Sequence, residues 1–118
     1  MAVPGPLQIP AVTTPGLEGY RIVRYLGIVA GETILGTGFE SDIMAGIRDF
    51  TGSRVKEWEA YIQSARYAAI VEMSQRAQAA GANAVVGVSV DYEVMGSSGS
   101  IVMVTATGTA VVAESVSV

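Results

Sequence analysis

The side chains with chemistry to offer in this chain are its carboxylates, among them Glu32, Glu40, Asp42, Asp49, Asp91 and Glu93. Carboxylate oxygens suit hard cations such as Ca²⁺ or Mg²⁺. A close pair of acids can also share general acid and base roles. Asp91 and Glu93 are two residues apart in a strand-like run, which sets them on one strand face. Across the adjoining hairpin, Met103, Thr105 and Thr107 supply no catalytic partner. Alternate acids of this kind fit a solvated strand face, and in a monomer all six read as surface charges. Tyr25, Tyr61, Tyr67 and Trp58 could line a ligand pocket, although packing against a long helix accounts for them more simply.

The sequence contains neither histidine nor cysteine. That excludes a Ser-His-Asp or Cys-His arrangement, a thiolate nucleophile, an imidazole base and any disulfide. Soft metals select thiolate, thioether or imidazole ligands, so only the methionines could serve them. Met44, Met73 and Met103 fall at apolar or strand positions and read as core or interface filling, while Met1 and Met95 are isolated. Gly36-Thr37-Gly38 lacks the spacing and the lysine of a phosphate loop and reads as a turn.

The elements that must carry these residues fit one domain of 118 residues. Half of the residues are hydrophobic and only 15% are charged, against roughly 25% in a typical soluble domain. So small a domain has much surface to cover, and the shortage of charge points to self-association. The net charge is −4, and the six arginines and single lysine, Lys56, form no basic cluster, which argues against a nucleic-acid partner. No apolar run approaches the ~20 residues of a membrane span, and Met1 to Pro10 lacks the basic start of a signal peptide, so a cytoplasmic location is expected.

Residues 1–16 hold all four prolines and are expected to form an extended arm, docked or free. A single domain is expected over 17–113, with a short tail over 114–118. Within it, Tyr20 to Ile28 reads as a strand that continues past a break at Gly31-Glu32 to Leu35. Ser41 caps a short helix on which Ile43, Ile47 and Phe50 share one face. A long helix then runs from Arg54 to Ala80, capped by Ser53 and stopped by Gly81. Its apolar stripe is Val55, Trp58, Ile62, Ala65, Ala69 and Met73. At ~1.5 Å per residue it would span ~40 Å, longer than the ~35 Å diameter of a compact globule of this size. Ala84 to Met95 alternates with Val86, Val88, Val90, Tyr92 and Val94 in one phase. It should form an antiparallel hairpin with Ser100 to Ala113. A Ser97-Ser98-Gly99 loop closed by a left-handed glycine would set Val94 opposite Val102 and Tyr92 opposite Val104. The fold class is α+β.

Several short motifs bear on identity: Thr14-Pro15; Gly31-Glu32 with Ile34-Leu35-Gly36; Gly46-Ile47-Arg48-Asp49; Ala65-Arg66; and the Gly81 to Val112 segment. Together they resemble the YbjQ family, small uncharacterised proteins that carry a heavy-metal-binding label, over about Thr13 to Val112. The resemblance implies antiparallel strands packed on one long helix plus a short one, assembled as a homopentameric β/α-propeller ring. Trp58 to Ser64 is less densely charged than the family's usual helix start, and the arm and tail exceed the usual core.

Two functional readings follow. One is a homo-oligomeric binding or scaffold protein with a ligand or cation site between subunits. The other is an enzyme that uses inter-subunit carboxylates with Arg48 or Arg66. For a divalent cation the first candidates are Glu32 and Asp42, which match acids at the corresponding places of the family pattern. Glu32 follows Gly31, where a side chain can be aimed outward, and Asp42 opens the short helix, where a negative charge also suits the helix dipole.

Overall fold

The computed structural model describes residues 7–35, 52–95 and 101–116, with helix side chains from Glu59 onward. The expected short helix with Asp42, the Gly36-Thr37-Gly38 turn and the Ser97-Ser98-Gly99 loop lie outside the described residues. The elements are β1 (Tyr20–Leu35), α1 (Gly52–Ala79), β2 (Ala84–Met95) and β3 (Ile101–Ser115). The three strands form one antiparallel sheet in the order β1-β3-β2.

The helix ends as its sequence dictates. Gly81 adopts φ +100°, a conformation that costs a residue with a side chain but not glycine. This lets Gly81 N–H donate to Gln78 C=O and Ala82 N–H donate to Ala77 C=O, both at 3.0 Å. The reversal satisfies carbonyls that a helix end leaves without partners and turns the chain straight into β2. Ala65, Ala69, Met73 and Ala77 recur every four residues and are all fully buried, so one stripe of α1 faces the sheet. They pack with Val104, Ala106 and Ala110 of β3 and with Val85 of β2, flanked by Val29, Val88 and Val90. A smaller cluster on the opposite sheet face joins Ala84, Val86 and Val111 to Val12, Leu17 and Ile22.

The hairpin register agrees with the reading of the sequence, with Val94 opposite Val102 and Tyr92 opposite Val104. Two details differ. The β2 alternation is not continuous, because a bulge lies between Val86 and Ser89. It places Val86 in the smaller cluster while Val88 and Val90 face α1. The cause is the proline-rich segment, which runs parallel to β2 along its outer edge. Gly87 and Val88 N–H donate to Thr14 and Val12 C=O at 2.8 and 3.0 Å, and Val85 N–H donates to Pro10 C=O at 2.9 Å. Ile9 of the same segment enters the main core.

The second difference is at Gly31. β1 does not break there, but runs through it for 16 residues. Gly31 is needed because α1 sits directly on it. A Cβ at this position would come within 2.6 Å of the Met73 backbone nitrogen and closer still to the Ala69 carbonyl oxygen.

Candidate functional site

The register sorts the carboxylates into place. Residues paired across neighbouring strands share a sheet face. Asp91 pairs with Thr105, which pairs with Glu32, giving a row of Asp91, Thr105 and Glu32 across the sheet. The next row is Glu93, Met103 and Ile34, and the one on the other side is Ser89, Thr107 and Ala30. The α1 side of the sheet carries the alternate residues, Val104 and Ala106 among them. Three of the acids singled out by the sequence, Glu32, Asp91 and Glu93, therefore stand on the face turned away from α1, and all three are exposed. Glu40, Asp42, Asp49 and Arg48 lie outside the described residues.

Glu32 and Asp91 are separated by two strand spacings, or roughly 10 Å between backbones. Among the described residues no three acids come close enough to hold a metal ion. Of the described methionines, Met73 is fully buried on the sheet-facing side of α1 and Met95 is exposed on β2.

Of Glu32, Asp91 and Glu93, Glu32 is the one paired with α1. Its carboxylate accepts from Arg76 Nη1 at 3.2 Å, and its backbone N–H donates to Glu72 Oε1 at 3.3 Å. Arg76 Nη2 pairs with the Glu72 carboxylate at 2.8 Å, one helical turn away, and Arg76 Nη1 also donates to the Ala30 carbonyl at 2.7 Å. Two carboxylates and one guanidinium thus meet at the outer edge of β1, brought within reach by the close seating of α1 on Gly31. Their side chains are only about half covered (40–53% exposed), so the charges remain accessible to solvent ions. Glu72 and Arg76 were not singled out from the sequence. Their i,i+4 spacing marks a helix pair, but nothing local to the helix says that the pair also reaches a strand 40 to 46 residues away.

Of the other candidates, Arg66 Nη1 donates to Tyr92 Oη at 3.3 Å and so ties α1 to β2. Tyr25 is exposed on β1, Tyr61 and Tyr67 are more than one-third exposed on α1, and the Trp58 side chain lies outside the described residues. A tighter polar tie holds the other end of the sheet. Asn83 Nδ2 donates to Ala113 C=O and Asn83 Oδ1 accepts from Ala113 N–H, both at 2.8 Å.

A model of the YbjQ family, described as "Putative heavy-metal-binding", matches residues 9–114. A relative from Acetivibrio thermocellus, named "UPF0145 protein", is 53% identical over 102 residues, covering 86% of this chain and 96% of its own. A crystal structure from Pediococcus pentosaceus of a protein with unknown function in the DUF74 family superposes with a TM-score of 0.59 at 15% identity. It covers 90% of this chain and 98% of that one, and the likeness is one of fold.

Proposed function

This chain belongs to the YbjQ family, and on that premise we propose that it is the subunit of a homopentameric ring, a cytoplasmic binding or scaffold protein whose carboxylates border a cation site between subunits. The observation that carries the association is the apolar surface left open by a single chain. Ile28 is 85% exposed, Tyr25 72%, Val94 66% and Ile34 63%. Large apolar side chains exposed to this degree are what a partner subunit covers. The shape agrees. The radius of gyration is 17.1 Å, against the ~13.5 Å expected of a compact 118-residue domain. The number five rests on the family resemblance alone.

Light scattering after size exclusion tests the assembly. The expected mass is about 61 kDa from five 12.2 kDa chains. A 12.2 kDa species at micromolar concentration refutes association, and a tetramer or hexamer refutes only the count.

For the cation, Glu32 and Asp42 remain the proposed ligands, and Glu72 now stands beside Glu32. An ion entering there has to displace Arg76, so oxygen-seeking ions of higher charge density are favoured over soft ones. Isothermal titration of chelator-treated protein with Ca²⁺, Mg²⁺, Zn²⁺ and Cu(I) should show hard-ion binding that Glu32→Gln abolishes. Tight stoichiometric Cu(I) or Zn²⁺ binding that survives the substitution overturns the assignment.

A further inference from the structure

β1 is an edge strand of 16 residues. Among the described residues, the backbone N–H and C=O groups along its outer side have no neighbouring strand, which makes a template for pairing with another chain. In the second half of that edge, Ala30 and Glu32 face outward, and both are already engaged. Arg76 donates to the Ala30 carbonyl at 2.7 Å and Glu72 accepts the Glu32 N–H at 3.3 Å. The two side chains hold each other at 2.8 Å, and Arg76 also pairs with the Glu32 carboxylate at 3.2 Å.

The geometry points to a side-chain clasp: Glu72 and Arg76 close the C-terminal half of the β1 edge against strand addition by a second copy of this chain. An incoming strand has to bond the Ala30 carbonyl and the Glu32 N–H. Here those two groups are taken by a carboxylate and a guanidinium, which end the hydrogen-bond ladder instead of extending it. Exposed ion pairs contribute little to stability, so four linked contacts at half-exposed side chains are better explained by what they block. Gly31 lies between the two clasped residues, and its missing Cβ is what allows α1 to approach so closely.

The opposite edge is guarded by other means. The arm pairs with β2 at Val85 and Val88, and the rest of that strand carries Asp91 and Glu93, exposed charges of the kind that keep edges apart. The clasp blocks backbone strand pairing alone and leaves room for subunits to meet through side chains, so it and the pentamer are tested separately.

The test compares the full-length chain with the Glu72→Ala/Arg76→Ala double variant. Amide hydrogen exchange at Glu32 should quicken roughly two- to tenfold, the worth of one net hydrogen bond, while Gly31, whose backbone faces β3, stays as protected as before. Light scattering over a concentration series should show the variant growing into species larger than wild type. A folded double variant with unchanged Glu32 exchange, or with wild-type size at every concentration, overturns the clasp. If the double variant does not fold, Glu72→Met, which keeps an apolar stem and removes the acceptor of the Glu32 N–H, carries the same comparison. Wild-type mass alone bears on the pentamer, and only the difference between wild type and variant bears on the clasp, so either can fail without the other.

Discussion

Replacing Gly31 with alanine probes the contact on which both the core and the Glu32 network depend. The added methyl would lie 2.6 Å from the Met73 backbone nitrogen and closer to the Ala69 carbonyl oxygen. These are backbone atoms of a continuous helix, so no rotamer change relieves the clash and α1 must move by about 1 Å. Overpacking of this kind costs about 1–3 kcal/mol, and a rigid backbone neighbour puts this site at the upper end. Alanine also restricts the unfolded chain, which returns about 0.4–1 kcal/mol. The net loss is therefore about 1–2 kcal/mol. An unfolding entropy near 2.1 cal/mol/K per residue makes each kcal/mol worth about 4 °C in a chain of this length, so Tm should fall by about 4–8 °C. Gly16→Ala is the control. Nothing lies within 4 Å of its Cβ, and it should melt at or slightly above the wild-type temperature. Both are measured by scanning calorimetry at one fixed protein concentration, because the Tm of an oligomer depends on concentration. If Gly31→Ala melts together with Gly16→Ala, the close approach of helix and strand is not what requires glycine.

Asn83→Ala removes both bonds to the Ala113 backbone at a partly buried site, and stability should fall by about 1–3 kcal/mol, read as a lower urea midpoint at constant m. Ile9→Ala empties a buried position that the proline-rich segment contributes to the core, so a loss of about 2–3 kcal/mol is expected. It should be accompanied by faster proteolysis before residue 17, whereas an unaltered cleavage rate would mean that the segment's backbone bonds hold it without the side chain.

The hairpin was readable because two independent signals agree on it. Val94 and Val102 can share a face in only one of two phases, and a one-residue slip would turn every valine to the wrong side. The long helix was readable for a similar reason: its small residues recur at i,i+4 and Gly81 supplies the reversal that ends it. The bulge in β2 was not readable. Val86, Val88 and Val90 look like one phase, and what interrupts them is hydrogen bonding from residues 12 and 14, some 70 positions earlier in the chain. Periodicity within a strand carries no record of what lies along its edge.

Glu32 shows the same limit at the candidate site. A glycine followed by an acid in a β-rich run suggests a pause that aims a carboxylate outward, and the carboxylate does face solvent. The glycine has a different cause, however, since it accommodates a helix backbone that begins to cross β1 some 38 residues later in the chain. That crossing brings Glu72 and Arg76 to the strand edge, so a guanidinium rather than solvent is the first neighbour of the Glu32 carboxylate. A charge already balanced at 3.2 Å offers a metal less than a bare one would, because the ion must replace an interaction as well as shed its own water. The resemblance that singles out Glu32 and the contacts that satisfy it therefore pull in different directions. Cation titration of the Glu32→Gln and Arg76→Met chains separates them: a metal ligand predicts stronger binding once Arg76 is removed and none in Glu32→Gln, and no binding in either chain refutes the cation site.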